Sequence, residues 1–213
     1  MEFTWENIAD KPDIWEGDEV PDKTYAAVGR CLSSWENMEF SMSMLYSQFR
    51  GSRGKIEYFH EYGTSGKIFV ERLSSMERVA ELYFVGRPDQ EFEASLSLVV
   101  NAARRLAVRR NEIAHGVVSV FAVNPELVLG DPTVSPWPNR YFLAPPHHAF
   151  LKYGEEGQYQ YGSTALAQLQ NAFDLFQKSI TKLANYLEIS HGSIDRSGNA
   201  SSGIKADINK MSF

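Results

Sequence analysis

Cysteine is almost missing: Cys31 stands alone among 213 residues, which excludes an internal disulfide framework, a cysteine-based zinc site and an iron–sulfur cluster. Long apolar runs are missing as well. No stretch approaches the roughly 18 to 20 consecutive apolar residues of a membrane span, and the first residues (MEFTWENIADKPDIWEGDEV) are acidic where an export signal is basic and then apolar. These absences predict a soluble, cytoplasmic chain with no membrane partner. No repeat of about 20 to 50 residues recurs, so no solenoid is implied. The chain also lacks a Gly-x-Ser-x-Gly elbow and a His-Glu-x-x-His helix. Gly51-Ser52-Arg53-Gly54-Lys55 lacks the glycine spacing and the preceding strand of a phosphate loop.

Basic charge is scarce overall, with a net charge of -6, yet the deficit is local. Residues 1–22 hold eight acids against Lys11 alone, a charge of -7 that leaves +1 for everything after Asp22. The global sign therefore does not exclude a basic site for a polyanion in the body of the chain. Residues 1–22 also carry Pro12, Gly17 and Pro21 without helical periodicity, and read as an acidic, extended arm pinned by Trp5 and Trp15. Its simplest role is solubility; a sharper one is that it covers the arginine-rich end as a polyanion mimic.

From about Asp22, Val28, Leu32, Trp35, Met38, Met42, Leu45 and Phe49 recur at steps of three and four, predicting a helix that Gly51 and Gly54 end. The stretch through Gly63 has no clear period. A second helix is predicted from about Gly66 to Val85 on Phe69, Leu73, Met76, Ala80 and Tyr83, stopped by Gly86-Arg87-Pro88. A third follows Pro88, its first turn acidic and its stripe running Phe92, Leu96, Val99, Ala103, Leu106, Arg110, Ile113, with Gly116 as a left-handed stop. Residues 117–162 hold six of the nine prolines and short β-prone runs such as Val117–Phe121, predicting an insertion of loops and a hairpin. Ser163 or Thr164 then caps a last helix on Leu166, Leu169, Phe173, Phe176, Ile180, Leu183 and Leu187. Residues 190–213 turn to Ser, Gly, Asn and Asp and read as a disordered tail. The expectation is an all-α fold: one domain over 23–189, an antiparallel four-helix bundle with the insertion before its last helix.

Chemistry concentrates in Arg104-Arg105-Leu106-Ala107-Val108-Arg109-Arg110-Asn111-Glu112-Ile113-Ala114-His115-Gly116. On a helix Arg104, Val108, Asn111 and His115 project to one side. Arg110 occupies the apolar seam, where an arginine either pairs with a carboxylate or marks a cleft. Arginines and a histidine before a helix stop are also what the dipole and open carbonyls favour in any protein, so the segment has a purely structural explanation. Glu36 on the first helix is a candidate partner for Arg110 or His115, though a carboxylate beside a core Trp is more often a solvated face residue. His147-His148 lack an accompanying acidic cluster for a metal. Tyr141, Phe142, Phe150, Tyr153, Tyr159 and Tyr161 could stack on bases, but covering the end of a bundle suits them better.

Arg110-Asn111-Glu112-Ile113-Ala114-His115 resembles the motif of the HEPN nucleases (higher eukaryote and prokaryote nucleotide-binding domains): an Arg, a polar residue, and a His after a short gap. The context is similar too, since the motif ends the third long helix and a last helix follows. Arg53 to His60, Arg140 to His147 and Arg109 to His115 offer comparable gaps. The first begins in a glycine-rich loop, the second is cut by Pro145-Pro146, and none has the Asn directly after the Arg. The resemblance, over residues 24–188, implies metal-independent RNA cleavage without a cofactor. Arg110 would hold the phosphate, Asn111 would orient phosphate or imidazole, and His115 would move the proton. Arg104, Arg105 and Arg109 would contact substrate. The family's dimeric mode implies a homodimer, and its usual setting implies a toxin or defence protein with a possible antitoxin partner. The rival readings are a non-catalytic helical module binding RNA, a nucleotide or a protein, and a plain dimerisation scaffold.

Overall fold

A computed structural model describes residues 14–51, 56–122, 139–146 and 159–191. Within them the chain is mainly helical, with five α-helices, a short 3-10 turn at Ile14–Glu16 and one two-stranded antiparallel sheet. In chain order these are α1 (Pro21–Phe49), α2 (Ile56–Thr64), α3 (Phe69–Val85), α4 (Gln90–His115), β1 (Val117–Ala122), β2 (Asn139–Ala144) and α5 (Ser163–His191). No helix among the described residues is long and apolar enough to cross a membrane. Trp5, His147-His148, Phe150 and Tyr153 lie outside the described residues, as do positions 1–13 of the arm and 192–213 of the tail.

The chain divides into two compact units. The first takes the described residues of Ser34–Val108 and those from Ala172 onward. Its core is the apolar stripe that periodicity predicts, with Trp35, Met38, Met42, Leu45, Leu73, Met76, Val99, Leu106, Phe173, Phe176, Ile180 and Leu183 buried. Trp35 lies edge-on to Phe69 and Phe173 at 4.7 and 5.4 Å between centroids. Each large side chain so buried contributes about 1.5–3 kcal/mol through the hydrophobic effect. At the other end Phe49 meets Tyr83, Phe84 and Phe92 edge to face, and Phe92 stacks on Tyr186 at 5.5 Å.

This unit corrects the sequence reading in two places. Helix α2 forms where the sequence shows no clear period; Tyr62 anchors it in the core and Tyr46 bonds Glu61 at 2.7 Å. Helix α3 starts at Phe69, not at Gly66, because the Glu71 carboxylate reaches back to accept the N–H groups of Lys67 (2.6 Å) and Ile68 (3.3 Å). That arrangement satisfies amide donors a helix start leaves open.

The second unit takes the described residues of Thr4–Ser33 together with those of Arg109–Asn171. The insertion forms the expected hairpin, β1 pairing β2 from Val117↔Ala144 to Ala122↔Asn139. The other edge of β2 is partly filled. Asp18 and Tyr141 exchange backbone hydrogen bonds at 3.0 and 2.8 Å, and Leu143 and Tyr161 exchange two at 2.9 Å. The acidic arm is thus built into this unit from Ile14 on: Trp15 lies under the Arg140 guanidinium (5.6 Å) and Glu19 pairs with Arg140 at 3.2 Å. Phe142, Leu143, Tyr161, Ile113, Leu166 and Leu169 form the core here. Along the first part of α1 the buried positions are Thr24, Ala27 and Cys31, and the Cys31 thiol donates to the Leu166 carbonyl at 2.9 Å. Val28 and Leu32, expected in the seam, are half-buried, so the stripe runs one residue earlier than hydrophobicity alone suggests.

Candidate functional site

The motif occupies the last two turns of α4, inside the second unit. Ile113 is buried and Arg110, three residues before it on the same stripe, is partly buried, as an arginine in an apolar seam must be to keep its charge near water. Asn111 and His115, four residues apart, are both exposed and share the opposite side. One Arg110 guanidinium N–H donates to the Asn111 amide oxygen at 3.5 Å, the outer limit of a hydrogen bond. The end of the helix therefore presents, within its last two turns, an amide, an imidazole and the edge of a guanidinium.

Arg109 faces elsewhere. Its side chain, 15% exposed, pairs with the Glu112 carboxylate at 3.0 and 3.2 Å and donates to the Tyr161 hydroxyl at 3.0 Å. Tyr161 in turn donates to the same carboxylate at 2.6 Å. Tyr159, stacked on Tyr161 at 5.2 Å, donates to the Glu112 main-chain carbonyl at 2.7 Å. That carbonyl is among the last four of α4, which have no partner within the helix. Burial and the adjacent Glu112 carboxylate both disfavour ionisation of these phenols: Tyr159 is pushed up to about 12, and Tyr161 is raised further. Both hydroxyls stay protonated as donors at any ordinary pH.

Gly116 follows directly. The expectation of a left-handed stop is corrected: the only glycine with positive φ among the described residues is Gly51, at 89°. Gly116 is needed for space. A Cβ there would stand 2.8 Å from Leu143 Cγ and Cδ1 and 2.9 Å from the Glu112 carbonyl oxygen, closer than side-chain carbons approach.

The remaining candidates fall in the first unit. Arg104 pairs with Glu77 of α3 and bonds Asn101 at 3.3 Å, Arg105 is exposed, and Glu36 is exposed on α1. Among the residues proposed for base stacking, Phe142, Tyr159 and Tyr161 are buried, in keeping with a covering role. Arg140, one end of a competing Arg-to-His gap, is held on β2 by Glu19 and Trp15. Among the described residues no group of three or more His, Cys, Asp or Glu side chains gathers as metal ligands do. Sequence reasoning passed over Glu112 and did not link it to Tyr159 and Tyr161. The signal available was Tyr-x-Tyr, since residues two apart in extended chain face the same way. Comparison of the chain with protein-family models, curated proteins and solved structures returned no match.

Proposed function

We propose that this chain is a metal-independent endoribonuclease of the HEPN type, built on an antiparallel four-helix bundle and acting as a homodimer in a toxin or defence setting. The observation that carries this reading is the end of α4, where Asn111 and His115 stand exposed one turn apart beside a partly buried Arg110. In the reaction, a histidine takes the proton from the ribose 2'-hydroxyl, whose oxygen attacks the adjacent phosphorus. The bond from phosphorus to the 5'-oxygen breaks, and a second histidine returns a proton to that oxygen. The products are a 2',3'-cyclic phosphate and a 5'-hydroxyl. One imidazole does not easily serve both sides of phosphorus, which is the reason for two copies of the motif. Arg110 offers paired N–H donors to the charge that builds on the phosphate oxygens, and Asn111 orients the phosphate. Arg105 and the half-exposed Arg104, earlier on α4, serve as phosphate contacts, and Arg109 acts through Glu112 and Tyr161.

The engagement of Arg104 with Glu77 and of Arg109 with Glu112 also favours a second reading, a non-catalytic module binding RNA, a nucleotide or a protein partner. Incubating wild-type chain and His115→Ala with labelled RNA in excess chelator, and scoring cyclic-phosphate ends, separates the two. The proposal expects cleavage that the variant loses. RNA binding without cleavage by either protein would transfer the assignment to the binding module.

A further inference from the structure

The last turn of a helix ordinarily frays, because its carbonyls lack partners and its residues lack a following turn to hold them. His115 is the last residue of α4 and is exposed. A group that must meet a reacting atom within about half an ångström cannot sit on a fraying turn without support. That support comes from a segment 44 or more residues further along the chain. Tyr161 is fastened to β2 by its two backbone hydrogen bonds with Leu143, and the Leu143 side chain lies against Gly116, so the hairpin and the tyrosines hold one short stretch of helix from several directions. Tyr159 takes an open main-chain carbonyl while Tyr161 and Arg109 take both oxygens of the same residue's carboxylate.

We infer that Tyr159 and Tyr161 are positioning residues, which clamp Glu112 and thereby hold Asn111 and His115 in one presentation on the last turn of α4. All of these residues belong to the second unit. Neither tyrosine is proposed to touch RNA; both hydroxyls are turned to Glu112. The inference rests on the ribonuclease reading for its consequence in turnover, but the clamp can be read without it.

The test uses the full chain with Tyr159→Phe, Tyr161→Phe, Glu112→Gln and Glu112→Ala, each followed by NMR of the His115 ring and the Asn111 amide and by single-turnover RNA cleavage. Both Tyr→Phe variants keep the ring and lose one oxygen. Their His115 and Asn111 resonances are expected to shift and broaden, while methyl resonances of Leu45 and Leu73 in the first unit stay in place. Turnover at saturating RNA should fall about tenfold with KM within about twofold, the pattern of lost transition-state alignment. Glu112→Gln keeps an acceptor for Tyr161 and should retain activity within about threefold, whereas Glu112→Ala should fall with the Tyr variants. If Tyr161→Phe does not fold, Tyr159→Phe decides, since its hydroxyl bonds the main-chain carbonyl of Glu112. His115 and Asn111 resonances that do not move in a folded variant overturn the clamp, as do shifts spread evenly over both units. A wild-type chain inert on RNA whose variants show the local shifts would retire the ribonuclease and leave the clamp standing.

Discussion

Asp18 accepts two hydrogen bonds from Ser163, one from its backbone N–H at 2.9 Å and one from its hydroxyl at 2.5 Å. The same carboxylate accepts the Thr24 hydroxyl at 2.6 Å. A residue of the acidic leader thus caps the start of α5 and ties down the first turn of α1. A negative charge suits both helix N-termini.

Asp18→Ala leaves the Ser163 N–H and two hydroxyls short of an acceptor in a place where Asp18 itself is only 8% exposed. Loss of a charged acceptor and a cap together should cost about 2–4 kcal/mol. Urea unfolding should show the midpoint falling with the slope unchanged. Substitution of Asp22, exposed in the first turn of α1, should stay within about 0.5 kcal/mol.

Gly116→Ala and Gly29→Ala are expected to differ in sign. The first drives a methyl group into Leu143 and the Glu112 carbonyl and should destabilise by about 1–3 kcal/mol. The second sits in the interior of α1, where a Cβ meets nothing within 4 Å, and should stabilise by about 0.5–1 kcal/mol. Paired thermal melts decide it, and equal shifts would contradict the close approach of β2 to the end of α4.

Alkali should unfold the protein through its tyrosines. Burial, with nearby carboxylates, lifts Tyr46 and Tyr159 to about 12 and raises Tyr62 and Tyr161 as well. In the unfolded chain these phenols lose protons near pH 10. Because the folded state then binds more protons than the unfolded one, their contribution is whole below pH 10 and is lost as pH climbs through about 12. Ultraviolet titration should show part of the ten tyrosines ionising only together with loss of helical circular dichroism. Smooth ionisation of all of them near pH 10 would refute it.

At the end of α4, stability and activity should separate. His115→Ala and Asn111→Ala alter exposed side chains and should leave the melting midpoint nearly unmoved. Under the proposed reaction His115→Ala loses about 10²–10⁴ in rate, and Arg110→Lys loses much of it too because an ammonium cannot offer paired planar donors. Cleavage of labelled RNA by the three variants, measured beside their melts, provides the check.

Much of the helical architecture was legible because its cause is local. Trp35, Met38, Met42, Leu45 and Phe49 fall on one side of any helix by geometry alone, as do Phe173, Phe176, Ile180 and Leu183, and all are buried. The hairpin was legible from β-branched residues among prolines. Helix α2 was not, and neither was the early seam of α1, where a small Ala27 and a Cys31 bonded to Leu166 lie deeper than Val28 and Leu32. Hydrophobicity ranks side chains, but fit selects among neighbours of similar rank.

The exposed pairing of Asn111 with His115 and the seam position of Arg110 were determined by the sequence itself, since a 3.6-residue period leaves no other arrangement once α4 is helical. Which arginine joins the tyrosine pair was decided elsewhere. Arg109 and Arg110 are adjacent and chemically identical and differ in direction by the helical period, but Arg109 is tied to the tyrosines because Tyr161, 52 residues further along, lies 3.0 Å from it. Gly116 and Asp18 follow the same rule: the Leu143 side chain and the Ser163 N–H that give them meaning come from distant chain. Local periodicity sets direction around a helix axis, whereas hydrogen-bond partners and excluded volume exist only once the strands and helices have packed.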